Sequence, residues 1–312
     1  MDASLFLINI VYVIAAGLFI YGIKLLSHPA TARKGNRLSA LGMLLAVCFT
    51  LLHQDIIGFT FLFSALLLGA IVGAVAAKRV PMTAMPELVS LFNGIGGLAS
   101  ALVAWAMLNG TSDLTLFIMV VGVVAVIIGC ITFSGSLIAW GKLSQRLPGR
   151  PMVFQAHAMV NALLALAVFL FGYLVITFPS VTSWQLALTA LALLLGVLFV
   201  LPIGGADMPV VISLLNSFSG LAACAAGLAL ENNLLIVAGA LVGASGTILT
   251  IVMCKGMNRT LWHVMTSGLK VQEAMQMKLE GEVKAINPDD AYYLLEAARS
   301  VVVVPGYGLA VA

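Results

Sequence analysis

The stretch GGADMPVVISLLNSFSGLAACAAG, residues 204–227, sets a carboxylate, a proline and an amide in fixed order where the chain turns apolar. Asp207 precedes Pro209 by two residues. Proline is favoured in the first turn of a helix, where its missing N–H would have no partner in any case. Asn216 follows Pro209 by seven residues. At about 1.5 Å per residue that is roughly 10 Å of helix, a third of the way into a ~30 Å hydrocarbon layer. The same phrase occurs earlier as MPELVSLFNGIGGLAS, from Met85, and matches MPVVISLLNSFSGLAA, from Met208, at Met, Pro, Ser, Leu, Asn, Gly, Leu and Ala. One such asparagine would ordinarily be interhelical glue. Two in one register point to a built polar feature.

The composition outside this stretch excludes a soluble globular protein. Hydrophobic residues make up 62% of the 312-residue chain and charged residues 9%, with a mean hydropathy of +1.13. Apolar runs long enough to cross a bilayer recur along it. The reading is an all-α polytopic membrane protein with about nine transmembrane helices, near 5–26, 38–53, 57–77, 86–108, 115–140, 155–178, 184–203, 209–229 and 233–254. The first span lacks a small-residue cleavage pattern and is read as a retained helix.

Charge placement supports the count. On nine spans, Lys24, Arg33, Lys34, Arg37, Lys78, Arg79, Lys142, Arg146, Arg150, Lys255 and Arg259 fall on one membrane face, and the remaining four basic residues lie in the tail leaving that face. The opposite side carries Asp2, Asp55, Asp113 and Glu231. The positive-inside rule then puts the N-terminus outside and the C-terminus in the cytoplasm. Removing one span would scatter the charges over both faces. Cys48, Cys130, Cys224 and Cys254 form no CxxC pair and read as packing residues, and no metal site is expected.

Span four places Glu87 in its first turn, either an electrostatic cap, the preferred reading, or a proton entry group. Ser90, Gly94 and Gly97 share a face with Asn93 at its edge. Span five brings Gly129, Thr132 and Ser136, and span eight brings Ser213, Ser217 and Gly220 beside Asn216. Span nine offers Gly239, Gly243, Gly246 and Thr250. Spans four and five thus resemble eight and nine, and four spans separate the two starts, which makes the internal repeat parallel. Spans six and seven carry almost no polar side chains and read as lipid-facing or packing helices. No span has a central Asp, Glu, Lys or Arg, so the polar groups at depth are amides and hydroxyls.

After Lys255 the composition becomes mixed. The domain reading is a transmembrane domain over 1–259, a cytoplasmic linker with a short helix over 260–300, and a nucleotide-domain opening over 301–312. NPDDAYYLLEAARS offers Asn287 as N-cap and Pro288 at the first helical position. SVVVVPGYGLAVA, with Gly306, Tyr307 and Gly308, reads as a first strand turning into a helix, the start of a dinucleotide-binding unit that is not completed in the residues that follow.

The phrases IGGADMPVV, LLNSFSG, NNLLIVAGALVGASGTIL, MCKGMNR and VPGYGLAVA are similar to those of one family over nearly the whole chain. The chain resembles the beta subunit of the proton-translocating NAD(P) transhydrogenase. That resemblance implies a membrane domain that couples proton movement to hydride transfer between NAD(H) and NADP(H) in a bacterial inner membrane. It implies NADP(H) on the full-length beta subunit, not expected to bind to this length of it, which is read as truncated at the start of that domain. It further implies NAD(H) on a partner alpha subunit, a homodimer of the membrane domain or of the whole complex, lipid contact and no nucleic acid. By motif, Asn216, Ser136 and Gly246 correspond to positions implicated in proton movement, to which Asn93, Ser90 and Ser213 are added as pathway candidates. Asp207 corresponds to a carboxylate at the boundary with the nucleotide domain. Some family members have a titrating histidine where Asn93 stands. Asparagine does not titrate near neutral pH, so either an alpha-subunit helix supplies the group or water held by Asn93, Asn216 and Ser136 carries the proton. The competing reading is a self-contained channel or secondary transporter built on the repeat. Asp207 itself is equally open to a cap role, accepting first-turn N–H bonds, and a coupling role.

Overall fold

A computed structural model describes residues 3–53, 59–110, 114–179, 181–265 and 286–302. Every regular element among these is helical. The long helices are α1 (Ala3–Leu26), α2 (Pro29–His53), α3 (Phe59–Arg79), α4 (Met85–Gly110), α5 (Leu116–Leu143), α6 (His157–Thr177), α7 (Thr182–Val200), α8 (Met208–Ala229) and α9 (Asn233–Gly256). They stand where nine spans were expected. Eight are long and apolar enough to cross a membrane, and α2 is the exception. Its helix begins at Pro29 and runs through the basic stretch expected to be a loop, so its first turns carry Arg33, Lys34 and Arg37 and only the remainder is apolar.

Short 3-10 turns, Met82–Ala84 and Gly205–Asp207, lead into α4 and α8 in the same way. At the opposite ends, Thr115 and Asn232 cap α5 and α9 by accepting from Ile118 N and Leu235 N. These caps occupy first-turn N–H groups that the helices leave unpaired.

Helix α5 is the hub, packing on α4, α7 and α8, while α8 also packs on α9 and α4. Small residues allow this. A Cβ on Gly97 would lie 3.0 Å from Gly129 O, and one on Gly129 would lie 2.6 Å from Gly97 O. At the equivalent positions of the other pair, Cβ atoms on Gly220 and Gly239 would each lie 2.8 Å from the other's carbonyl oxygen. The two helix pairs therefore meet backbone to backbone at matching residues. Helix α7 is a packing helix, since Leu188, Ala192 and Val200 are almost wholly buried and Gly196 sits against Ser134 and Ile131 of α5. Helices α1 and α2 pack on each other, with Tyr12 Oη and Thr50 Oγ1 2.7 Å apart. The apolar stretch of α3 buries nothing.

Beyond α9 the core continues further than the expected boundary at residue 259. Residues 261–265 are helical, and Val264 is fully buried in the cluster formed by Ile203, Met208, Val211 and Leu215. A further helix, α10 (Pro288–Ala297), has Pro288 in its first turn as expected. The Asn287 side chain makes no capping bond there, and Asp289 and Asp290 supply the first-turn negative charge instead. Val301 and Val302 have no regular structure, and the rest of the expected strand and turn, with Gly306, Tyr307 and Gly308, lies outside the described residues.

Candidate functional site

Ser90 is fully buried on α4, and its hydroxyl donates to Ser136 O of α5 at 2.9 Å. One turn deeper, Asn93 Nδ2 donates to Ser136 Oγ at 3.0 Å. The cluster reaches the third helix through Ser219, whose hydroxyl donates to Asn93 O at 3.2 Å. Gly94 makes room for it, since a Cβ there would lie 3.1 Å from Ser136 Cβ. Three helices thus share one polar node. It contains no titrating group, so it can relay a proton only by exchanging hydrogen bonds with water.

Asn216 lies three residues before Ser219 on α8, on the same face and one turn nearer the basic end. It is half-buried, and its amide has no hydrogen-bond partner among the described residues. Ser213, the counterpart of Ser90, donates to Gly246 O at 3.3 Å, so Ser213 and Gly246 join in a second node between α8 and α9. Ser217 extends it by donating to Gly243 O at 2.8 Å and meeting Thr247 Oγ1 at 2.7 Å. Gly246 is there for contact, because its absent Cβ would lie 2.8 Å from Ser217 N.

Above the first node, at the basic end, a cavity of about 470 Å³ opens between the starts of α4 and α8. Glu87, Lys142, Gln145, Gly205 and Pro209 line it. Glu87, Ser90 and Asn93 then descend α4 at three-residue steps, from cavity to node.

Asp207 differs from one of its expected roles. It is 5% exposed, and its carboxylate makes no capping bond to α8. Its backbone explains this: Asp207 is near-helical at φ −92°, ψ −3°, where a capping residue is ordinarily extended, and Pro209 has no N–H to offer. Arg259 takes the carboxylate instead, with Nη1 2.9 Å from Oδ1 and 3.0 Å from Oδ2. The end of α9 aims that arginine. Asn258 adopts φ 53°, and Arg259 N donates back to Cys254 O at 2.9 Å, closing the helix with a left-handed residue that turns the chain toward α8. It is the ion pair found among the described residues.

Sequence reasoning missed Ser219, Arg259 as the partner of Asp207, and Lys142. Arg259 and Lys142 had been counted only as markers of the basic face. Spans six and seven also hold more polar groups than expected. His157 is 2% exposed with Nε2 2.8 Å from Leu198 O, and buried Gln185 accepts from Asn109 Nδ2 at 2.6 Å. The repeat of Met-Pro, Ser and Asn at fixed spacing was the legible signal for the nodes. The GYG turn lies outside the described residues.

A family profile described as NAD(P) transhydrogenase beta subunit matches residues 8–312. NAD(P) transhydrogenase subunit beta of Rhodospirillum rubrum is 42% identical over 316 residues, covering 96% of this chain and 67% of that protein. The same subunit from a specified strain of that species matches to the same extent. With the multi-pass helical fold, these matches place the chain in the NAD(P) transhydrogenase beta-subunit family, as a membrane-embedded subunit of an oxidoreductase complex.

Proposed function

We propose that this chain is the proton-conducting part of the complex and couples proton movement across the membrane to hydride transfer between NAD(H) and NADP(H). The observation that carries this reading is the hydrogen-bonded node of Ser90, Asn93, Ser136 and Ser219, set beneath a cavity that Glu87, Lys142 and Gln145 help to line. Polar groups in an apolar layer are costly unless each finds a partner. Here the groups are partnered, and on this reading water entering from the cavity during turnover exchanges hydrogen bonds with them. Gating would reside at Asp207. Its pair with Arg259 lies where α8 begins and where the segment carrying Val264 leaves α9, so loss of the pair would free that segment. A ligand-dependent difference in the strength of this pair would link nucleotide state to proton access.

On this reading the basic face is cytoplasmic, NADP(H) binds to the remainder of the beta subunit, NAD(H) binds to an alpha subunit, and the complex lies in a bacterial inner membrane as a homodimer surrounded by lipid. The dinucleotide supplies and accepts the hydride, while the residues described here bind, orient and pass the proton. The test uses the complete complex in vesicles, with hydride transfer between NADPH and an NAD analogue and proton pumping read together. Asn93→Ala and Ser136→Ala should each lower pumping by about tenfold or more. Asp207→Asn should lower pumping and hydride transfer together. Near wild-type pumping in all three variants would exclude the node as the path and favour an independent channel or transporter elsewhere in the fold.

A further inference from the structure

Lys142 lies almost at the end of α5 and is only 3% exposed. Its partners are two backbone carbonyls beyond the end of α7, with Nζ 2.5 Å from Leu201 O and 2.6 Å from Ile203 O. Neither oxygen belongs to a regular helix. The turn they occupy is short: Ile203 is followed by Gly204, and Gly205–Asp207 is the 3-10 turn that delivers Asp207 to Arg259. The turn's hydrogen bonds to the 149–152 segment are backbone ones, Met152 N to Leu201 O at 3.1 Å and Gly205 N to Gly149 O at 2.8 Å, and the Ile203 side chain lies in the apolar cluster that includes Ala139 of α5. Lys142 is thus the side chain whose hydrogen bonds tie this turn to a transmembrane helix. The same helix holds Ser136 six residues earlier, roughly 9 Å away along the axis.

We propose that Lys142 is a positioning residue for the Asp207–Arg259 pair, holding the 201–207 turn to α5 so that a shift of the helix bearing the Ser136 node is transmitted to that pair. The inference rests on the coupling role given to Asp207 above. Two features favour it over simple helix capping. The α7 carbonyl at Leu198 is already served by His157 and Asn161 from α6, and the lysine reaches past the C-cap residue Leu201 to Ile203 O in the turn itself. The side chain also lines the cavity that Glu87 faces, which places it at the junction of α4, α5 and α8. A buried amine is costly without good partners. An apolar residue of its length would fill the same space, but it would leave Ile203 O without this donor and Leu201 O with Met152 N.

The test takes Lys142→Met, which keeps length and loses the donors, and Lys142→Arg, which keeps the donors, in the complete complex. Exposure of Asp207 is read by carbodiimide labelling and peptide mass spectrometry, which depends on the ion pair and not on turnover. Labelling of Asp207 in Lys142→Met should rise by about fivefold or more over wild type, as local opening exposes it, and Lys142→Arg should return it close to the wild-type level. Coupled turnover in Lys142→Met should fall by about tenfold, and the same change on an Asp207→Asn background should add less than about twofold, as expected for residues acting through one another. Unchanged labelling in Lys142→Met, or full additivity with Asp207→Asn, overturns the positioning role. Raised labelling with unchanged turnover supports the positioning role and instead removes the coupling role of Asp207. Should Lys142→Met fail to assemble, Lys142→Gln keeps one donor, and intermediate labelling is then expected; wild-type labelling there overturns the proposal.

Discussion

Asp207 and Arg259 form a pair with unequal surroundings, the carboxylate 7% exposed at its side chain and the guanidinium 42% exposed. Removing the arginine would leave a buried carboxylate unpaired, whereas removing the carboxylate would leave a solvated cation. Breaking a buried pair from one side costs about 3 kcal/mol, much of it the stranded charge. Arg259→Gln should therefore lower the thermal midpoint of the purified complex more than Asp207→Asn does, and Asp207→Asn added to Arg259→Gln should recover part of the loss. A thermal unfolding series of the three variants reads this directly. The glycines give a second residue-level contrast. A methyl on Gly220 would be driven into the backbone of Gly243, with Gly239 O 2.8 Å away, while one on Gly96 would meet nothing within 4 Å. Gly220→Ala should cost roughly 1–3 kcal/mol by forcing α8 and α9 apart, and Gly96→Ala should be neutral or slightly stabilising, since alanine favours the helix. Equal melting behaviour of the two variants would contradict the backbone-to-backbone packing.

At the scale of elements, the pairs α4–α5 and α8–α9 are built alike. Each first helix follows a 3-10 turn, each has a serine donating across to its partner's backbone, and each closes on a glycine contact. The pairs diverge in what they add. Asn93 is tied to Ser136, while Asn216 has a free amide one turn from Ser219. An amide without a fixed partner can hold and exchange water at low cost, and one already bonded must first release its donor. Asn216→Asp, which keeps the size but can bind a proton, should therefore introduce a new pH dependence into pumping. Asn93→Asp should chiefly rearrange the node, because an ionised carboxylate would accept from the Ser136 hydroxyl to which the amide now donates. Pumping measured across a pH series in the two variants separates these outcomes. An experimental structure should superpose the two helix pairs about an axis along the membrane normal.

For the whole molecule, the one-sided distribution of Lys and Arg predicts orientation. Single cysteines placed at Arg146 and at Glu231 should react with an impermeant thiol reagent from opposite sides of sealed vesicles, Arg146 from the cytoplasmic side. Labelling of both from one side would remove a span from the count. Helix α3, whose apolar stretch has no buried residue, contributes nothing to the core around α5 and α8. The functional centre thus depends on α4 to α9, with α1 and α2 meeting it where Ala15 and Ala46 cluster with Leu234 of α9.

The helices, their order and their small polar faces were legible because each depends on a window of about twenty residues, the length over which hydropathy and helical period are expressed. The twin Met-Pro phrases marked Ser90, Asn93, Ser213 and Asn216 for the same reason. Even within that range, α2 began nine residues before its expected start, since a basic segment led by Pro29 is as able to be helical as to be a loop. What tertiary structure alone decided was partnership. Asp207 meets Arg259 across 52 residues, Lys142 reaches Leu201 across 59 and Ser219 reaches Asn93 across 126. A basic residue near a span end satisfies the charge rule whether it is solvated or buried, so the sequence alone determined which side Lys142 and Arg259 occupy. Only the packing of α5, α7, α8 and α9 decided that one holds a turn and the other an acid, because in an apolar layer a polar group's partner is whichever group the helix contacts bring within hydrogen-bond reach.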